Sequence, residues 1–209
     1  MGLREMKKQQ TRENIANHAT RLFLRHGFDR VTIADVAAAA QVAKMTVTNY
    51  FPRKEDMALD LHDAFVTRLA RTVSERGPGE PALAALRRGF GQAVEHRDPV
   101  IGFSGPAFAR MVVESPALTA RLREFHEERE DALAAVLAEE TAAGPDDPLP
   151  RLAAAQFGGV HRVLFEETQR RTLNGETDDA IAAAVTGTAR AAFDLLEPSL
   201  SDYAVRQAS

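Results

Sequence analysis

Apolar residues along the chain recur at intervals of three and four positions, which is the period of an amphipathic α-helix. The first such stretch covers residues 11–26, and Gly27 follows it, at a position where glycine commonly ends a helix. Its apolar positions are Ile15, Ala19, Leu22 and Phe23. The pattern therefore predicts a first helix that buries one face and ends at Gly27.

Two shorter helices are predicted after the first. Thr32 and Asp35 have the spacing of a capping box, in which each side chain binds the backbone of the other residue at the start of a helix. A third helix is predicted from Ala43 to Phe51, because proline at the next position cannot continue it. Val47 and Phe51 are four residues apart, so we expect both on the buried face of this helix.

Longer helical patterns, separated by glycine and proline, fill the rest of the chain. They are predicted over residues 55–76, 81–97, 101–114, 115–143, 150–173 and 177–196. Ser115 and Pro116 suit the N-cap and the first position of a helix, whereas glycine and proline interrupt the stretch 101–114. Since no strand-like alternation stands out, the sequence predicts an all-α fold of about nine helices.

The composition excludes several classes of protein. The chain has no cysteine, which excludes thiolate metal sites, disulfide frameworks and cysteine nucleophiles. No apolar run approaches the length of about 18 residues that a membrane-spanning helix needs. The first ten residues are polar and basic and lack the apolar segment of a secretory signal. We therefore expect a soluble, cytoplasmic protein.

The charges are distributed unevenly along the chain. Residues 1–54 contain ten Lys and Arg but four Asp and Glu, whereas residues 55–209 contain 16 and 26. A basic segment joined to an acidic one is typical of a domain that binds a polyanion and a second domain with another role. A chance bias of the surface remains an alternative on charge alone.

Three helices within a basic segment of about fifty residues, with a tight turn between the second and third, are typical of a helix-turn-helix DNA-binding domain. The run TIADVAAAAQVAKMTVTNYFPRKED, from Thr32 to Asp56, resembles the DNA-binding region of the tetracycline-repressor (TetR) family of bacterial transcriptional regulators. The resemblance implies a DNA-binding domain over residues 1–54 and a helical effector-binding and dimerisation domain over residues 55–209. It also implies a homodimer that a small molecule releases from a pseudo-palindromic operator.

The exposed side of the third helix carries the side chains expected to read bases. Asn49 offers a paired donor and acceptor to adenine, and Lys44 offers a donor to guanine. The predicted base-reading residues are Lys44, Met45, Thr48 and Asn49. Two positions depart from the usual family pattern: Ala43 replaces a capping serine, and Thr48 replaces a frequent aromatic residue.

Hydroxyl groups and an ammonium group near the helix starts suit the phosphates of the DNA backbone. The predicted phosphate-binding residues are Thr32, Thr46, Tyr50 and Lys54. For two of them a structural role is an open alternative. Thr32 is first a helix cap, and Tyr50 is equally suited to packing against its neighbours.

Aromatic residues of the central helices, with a few polar neighbours, are predicted to line a mostly apolar effector cavity. The predicted lining residues are Phe65, Phe90, Phe103, Phe108, Met111, Phe125, His126, Phe157 and His161. His62 and Arg110 are further candidates for polar anchors. The open alternative is that most of these phenylalanines belong to the ordinary core.

The last two predicted helices carry apolar stripes with small residues, which suit a four-helix bundle formed by two copies of the chain. The predicted interface residues are Leu164, Phe165, Thr168, Ile181, Ala184, Val185, Thr188, Ala192 and Leu195. A dimer would hold two recognition helices about 34 Å apart, one turn of duplex DNA. The alternative is that the same stripes serve the core of a single chain.

No motif predicts catalysis, a cofactor or a metal site. The segment from Gly102 to Pro106 is similar to a nucleophile elbow around Ser104, but that pattern requires glycine at position 106 and a preceding strand. His126 and Glu130 are four residues apart without the second histidine of a metal-binding helix, which favours a solvated helix face. Two rival hypotheses remain: a DNA-binding regulator without a ligand, and an all-helical hydrolase.

Overall fold

The computed structural model describes residues 2–207, apart from the side chain of Leu3. Within this range the chain forms eleven α-helices and one 3-10 helix and contains no strand. The helices are α1 (Leu3–His26), α2 (Ile33–Ala39), α3 (Lys44–Tyr50), α4 (Lys54–Ala58), α5 (His62–Ser74), α6 (Ala82–Glu95), the 3-10 helix (Pro99–Ile101), α7 (Pro106–Glu114), α8 (Pro116–Glu140), α9 (Leu149–Leu173), α10 (Asp178–Asp194) and α11 (Glu197–Leu200). The predicted all-α fold is confirmed.

The chain divides into two compact units. The first unit comprises Met1–His62 and Ala107–Leu122, and the second comprises Asp63–Pro106 and Arg123–Ser209. The sequence predicted a boundary between residues 54 and 55. The structure instead groups α4 and a returning segment with the first three helices, and Arg121 forms an ion pair with Asp56 at 2.8 Å within that unit.

In the first unit, α1 packs on α2 and α4, and α2 packs on α3. Helix α1 begins earlier than predicted, because residues 3–10 consist mostly of straight-chain polar side chains that favour a helix without burial. It ends at Gly27, which has a φ of 85° and donates its N–H to the carbonyl of Phe23 at 2.8 Å. The capping box of Thr32 and Asp35 is present as predicted.

The single helix predicted over residues 55–76 is wrong, because the chain breaks between α4 and α5. The break falls at Leu59, which is buried, and Leu61, which is 49% exposed. Between them, the carboxylate of Asp60 forms an ion pair with Arg12 of α1 at 2.9 Å. This long-range contact competes with the local helical pattern, and periodicity carries no information about it.

In the second unit, α10 packs on both α9 and α6 around one apolar core. Gly158 allows α8 and α9 to approach closely, since a Cβ at this position would lie 2.3 Å from the Cγ of Glu130. Gly102 follows the 3-10 helix with a φ of 108°, and a Cβ there would lie 2.9 Å from the Cβ of Thr168. Only glycine fits this turn without moving α9.

The predicted dimer interface needs a correction. Five of its members are buried within one chain and are unavailable to a second copy: Leu164, Phe165, Thr168, Ile181 and Val185. Ala184, Thr188 and Ala192 are half-buried, and Leu195 is 80% exposed. The apolar stripes of α9 and α10 therefore mainly serve the core, because a helical period marks a buried face without saying what covers it.

Candidate nucleic-acid interface and buried polar cluster

Helix α3 and the residue that follows it have a buried face and an exposed face. Val47 and Phe51 are completely buried, whereas Lys44 and Asn49 are exposed and Met45 is 71% exposed. A seven-residue helix is too short to be stable alone, so the two buried side chains anchor it on the unit. The predicted division of α3 into a buried and an exposed face is confirmed, and its contacts with bases stay a prediction.

Thr48 and Thr32 use their hydroxyl protons within the protein. The hydroxyl of Thr48, which is half-buried, donates to the carbonyl of Met45 at 3.0 Å. The hydroxyl of Thr32 donates to the carboxylate of Asp35 at 2.7 Å and accepts from its N–H at 3.2 Å. The Asp35 carboxylate also accepts from the N–H of Thr32 at 2.8 Å, and the two bonds that it accepts from Thr32 lower the pKa of this carboxyl. A phosphate offers acceptors only, so Thr32 would have to leave Asp35 in order to donate to it.

The other predicted phosphate-binding residues are half-buried. The ammonium group of Lys54 lies 4.2 Å from the centre of the Phe28 ring and 3.4 Å from the carbonyl of Asp29. This partial burial lowers the pKa of Lys54. Thr46 and Tyr50 are also partly covered by the unit. Each of the three packs against protein as well as facing solvent, so the phosphate role stays a prediction.

Two residues of α1 that were not singled out in the sequence hold the ends of α2 and α3 in place. The guanidinium group of Arg12 donates to the carbonyl of Tyr50 at 3.1 Å, lies 4.4 Å from the centre of the Phe51 ring, and pairs with Asp60. Asn14 donates to the carbonyl of Ala40, at the end of α2, at 3.1 Å. Both contacts span more than twenty residues in sequence, and so no local pattern predicts them.

A cleft of about 580 Å³ lies where α1 ends and α2 begins. Arg25, His26 and Arg30 line it together with Asp35. Its basic side chains are exposed and add to the positive charge of the first unit. They extend the cationic surface beyond α3 in a way that suits phosphate groups.

The structure separates the residues predicted to line an effector cavity. Phe108, which is half-buried, and Met111, which is buried, lie on α7 and belong to the first unit. The others are buried in the second unit: Phe65, Phe90, Phe103, Phe125, His126, Phe157 and His161. Phe90, Phe103 and Phe157 are part of the main apolar core, as the alternative interpretation proposed for such residues.

The second unit contains a group of buried polar side chains, namely His126, Arg129 and His161, which we call the buried polar cluster. These residues are 6%, 3% and 5% exposed. The Nη2 of Arg129 lies 2.9 Å from the Nδ1 of His126, whereas the Nε of Arg129 and the Nε2 of His161 have no hydrogen-bond partner. The solvated helix face predicted around His126 is therefore wrong for His126 and Arg129.

Aromatic rings surround the histidines of the buried polar cluster. The ring of His126 lies 5.0 Å from that of Phe65 and 5.6 Å from that of Phe165, centre to centre. The ring of His161 lies 5.6 Å from Phe90 and 5.7 Å from Phe193. In all four contacts the ring planes are close to perpendicular, an arrangement that aromatic pairs prefer.

Burial controls the protonation of the buried polar cluster. It lowers the pKa of His126 to about 3, with a further contribution from the positive charges of Arg129 and Arg162. Burial also lowers the pKa of His161 well below its usual value, assisted by Arg129 and Arg68. The pKa of Arg129 falls to about 10 for the same reason. At neutral pH, both imidazoles are therefore neutral and Arg129 carries the charge.

Ser104, the residue that prompted the hydrolase hypothesis, follows Gly102 in a turn and not in a strand. Its hydroxyl oxygen is buried and has no hydrogen-bond partner. A serine nucleophile needs a base within hydrogen-bond reach to accept its proton. The surroundings of Ser104 do not provide that geometry.

Comparison with known proteins explains the arrangement of the first unit. A family described as "Bacterial regulatory proteins, tetR family" matches residues 15–61, which include the second half of α1 and all of α2, α3 and α4. The HTH-type transcriptional regulator TcmR of Streptomyces glaucescens is 31% identical over 207 residues, covering 95% of this chain and 88% of that protein. The chain belongs to the TetR family.

Further comparisons agree with membership of the TetR family. The HTH-type transcriptional repressor DhaR of Mycobacterium sp. (strain GP1) is 27% identical over 95 residues, or 44% of this chain and 48% of that protein. The solved SmeT–triclosan complex matches with a TM-score of 0.53 and 18% identity, covering 96% of both chains. At this identity the likeness concerns the fold alone.

Membership of the TetR family establishes that the protein is a DNA-binding transcriptional regulator. Regulators of the TetR family bind DNA and small-molecule effectors and act as dimers. Among the helices of residues 2–207, none combines the length and the apolar character needed to cross a bilayer. The exposed face of α3 is thus the candidate surface for DNA binding, and the buried polar cluster is the candidate site for an effector.

Proposed function

We propose that the protein is a cytoplasmic, homodimeric repressor that holds a pseudo-palindromic operator through α3 and is released from it by a small molecule. The observation that carries the proposal is the two-faced structure of α3. Val47 and Phe51 are completely buried, and Lys44, Met45 and Asn49 project from a basic unit into solvent. An exposed polar face on a rigidly held helix is what major-groove readout requires.

Arg12 supports this role because it fixes the end of α3. A helix end leaves its last carbonyl groups without partners inside the helix, and Arg12 donates to one of them, on Tyr50. The same side chain covers the ring of Phe51 and pairs with Asp60 after α4. Base readout depends on side chains held within a fraction of an ångström, so this anchoring favours sequence-specific binding.

The dimer interface that we propose uses the exposed sides of α9 and α10. On α10 and its C-cap residue, positions at helical spacing that remain accessible are Ala184, Thr188, Ala191 and Leu195. On α9 they are Leu152, Gln156, Gly159 and Val163. Apart from Gln156, these residues are small or apolar, and three of them are large exposed hydrophobic residues: Leu152, Val163 and Leu195. Two copies of this helix pair would form a four-helix bundle.

Effector control is supported by the buried polar cluster. Polar atoms buried without partners are uncommon in proteins and destabilise the fold unless something else satisfies them. SmeT, a protein of the same fold, has been solved in complex with the small molecule triclosan. A coupling of about 1–3 kcal/mol between effector and DNA would change operator affinity by roughly 5- to 150-fold.

The test begins with selection of operator sequences from random duplex DNA, followed by fluorescence anisotropy at several salt concentrations. We expect salt-dependent binding to a palindromic site. Asn49→Ala should weaken binding by about 1–3 kcal/mol and relax the preference at one base position. Arg21→Ala, on the exposed side of α1, is the matched control. Absence of salt-dependent duplex binding would refute the proposal.

A regulator without a ligand is the second candidate. It is favoured by the placement of Phe90, Phe103 and Phe157 in the continuous apolar core. A screen for thermal stabilisation separates the two hypotheses, because a ligand at about 100 times its dissociation constant stabilises the state it binds by about 2.7 kcal/mol. Compounds that stabilise the protein are then tested for release of the operator.

A further inference from the structure

We infer that the buried polar cluster recognises an anionic group on an aromatic or otherwise apolar ligand, with Arg129 as the residue that binds the negative charge. The inference deepens the proposed function, on which it rests, by naming the chemical class of the effector. Carboxylates and acidic phenols or enols share the required chemistry, namely a negatively charged oxygen attached to an apolar skeleton.

The second unit contains a second buried arginine, and the comparison shows what Arg129 lacks. The side chain of Arg76 is fully buried and pairs with Glu140 at 2.9 Å. Its other donors bind the backbone carbonyl groups of Val73, Glu80 and Ala204. Arg76 is therefore neutralised and saturated, as expected for an arginine that stabilises a core.

Arg129 is equally inaccessible but is not neutralised. Its Nη2 donates to a neutral imidazole, its Nε has no partner, and its guanidinium carbon lies 4.6 Å from the centre of the Phe65 ring. Among the residues that the structure describes, no carboxylate forms an ion pair with it. A buried cation without an anion is costly, and an anionic ligand would remove that cost while binding.

The charged groups nearest to the buried polar cluster leave a surplus of positive charge. Arg162 and Arg68 act on the histidines, and Arg68 is already paired with Asp98. The one acidic neighbour that acts on Arg129 is Glu130, whose pKa is raised by burial. The cluster thus presents a net positive potential to any group that reaches it.

The surroundings determine the rest of the ligand. Phe65, Phe165, Phe90 and Phe193 lie against the two imidazole rings, so the ligand skeleton that they would contact is apolar and preferably aromatic. A cleft of about 380 Å³ between α6 and α10 is lined by Phe90 and Phe193. The rings that shield His161 therefore also border open space, and the Nε2 of His161 offers a second polar contact.

The experiment measures binding to the full-length protein without DNA, by isothermal titration calorimetry at pH 7.5. The probes are 2-naphthoate and 2-anthroate, each compared with its amide, which has nearly the same shape and no charge. We expect at least one acid to bind about tenfold more tightly than its amide, a difference of about 1.4 kcal/mol. Equal affinities for acid and amide, or no binding of either acid, would overturn the inference.

Substitutions then assign the preference to Arg129. In Arg129→Met the acid should lose its advantage over the amide, and in Arg129→Lys, which keeps the charge, most of the advantage should remain. Arg162→Met is the matched control, because it removes a nearby arginine from an exposed position of α9. If this control abolishes the preference as completely as Arg129→Met does, the assignment is wrong.

Circular dichroism and thermal unfolding establish whether each variant is folded. Should Arg129→Met fail to fold, the comparison between the parent protein and Arg129→Lys decides, since a loss of acid preference in the lysine variant to the level of the amide contradicts a charge-based role. The proposed function is tested independently by operator binding. A protein that binds its operator and is released by a neutral compound would retain the function and refute this inference alone.

Discussion

In the first unit, the α3 segment keeps Val47 and Phe51 inside and holds Lys44, Met45 and Asn49 in solvent. In the second unit, an arginine and two histidines are buried among phenylalanine rings. Burial of Val47 and Phe51 stabilises the first unit, and the same packing leaves Lys44 and Asn49 accessible to solvent. The second arrangement stores unsatisfied polar atoms in the interior, where a ligand can satisfy them. If both proposals hold, DNA recognition uses a unit whose core is satisfied, whereas effector recognition uses a core that contains unsatisfied polar atoms.

The largest expected effect is a loss of stability when a buried side chain that anchors α3 is removed. Phe51→Ala should reduce the free energy of unfolding by about 4 kcal/mol, because it removes a completely buried ring, and should abolish operator binding. Met45→Ala, at a side chain that is 71% exposed, should change stability by less than about 0.5 kcal/mol. Urea unfolding measures both. Equal losses in the two variants would contradict the two-faced description of α3.

The next effect concerns the interior of the second unit. Unfolded histidine takes up its proton near pH 6.5, whereas burial lowers the pKa of folded His126 to about 3 and that of His161 in the same direction. Their neutral forms therefore stabilise the fold fully above about pH 6.5. This contribution is lost as the pH falls below that value, by up to about 1.4 kcal/mol per pH unit for each histidine.

Between pH 7.5 and pH 5.5 we therefore expect the two histidines to reduce the free energy of unfolding by about 3 kcal/mol together. His126→Gln and His161→Phe should each remove about half of that decrease, because all other titrating groups are unchanged. Urea unfolding at the two pH values provides the measurement. If both variants lose as much stability as the parent protein, the histidines are not buried in their neutral form.

A smaller effect sharpens the role of α1 in the first unit. Arg12→Met should cost about 2 kcal/mol, because the side chain makes charge-assisted hydrogen bonds and covers an aromatic ring. Operator affinity should fall with it. Arg21→Met is the control, since Arg21 is exposed and donates to the carbonyl of Asn17 on its own helix. The role assigned to Arg12 fails if the two variants behave alike in unfolding and in DNA binding.

The smallest effect concerns the start of α2. Thr32→Ala removes the hydroxyl that accepts from the N–H of Asp35, and should cost about 1 kcal/mol of stability. Thr32→Ser keeps the hydroxyl and should restore most of it. Thermal unfolding distinguishes the variants. If the alanine variant is as stable as the parent protein, then the capping box contributes nothing and the hydroxyl serves another purpose.

The sequence predicted the first unit well because its signals are local. The capping box, the glycine after α1 and the proline after α3 each act within a few residues. The break at Leu59 was missed because its cause is Arg12, nearly fifty residues earlier. The buried polar cluster was missed in part for a similar reason. Arg129 lies in a strongly charged stretch of α8, and only the packing of other helices shows that this side chain is covered.

The interface residues illustrate a limit of a different kind. Ile181 and Val185 lie on an apolar helical face, as predicted, but that face is covered by the same chain. A helical period is identical whether the partner helix belongs to the same molecule or to a second copy. Leu195 follows the same helical pattern but is 80% exposed, which only the three-dimensional structure shows. Burial, rather than periodicity, is the property that separates core from interface.

The anchoring of α3 by Arg12 has a consequence for building hybrid regulators. Exchanging α3 alone is the simplest design for transferring operator preference, because this helix carries the exposed side chains. Its last carbonyl and its terminal ring, however, are held by a side chain of α1, which also pairs with the residue after α4. A portable module therefore has to include the whole block from α1 to Asp60.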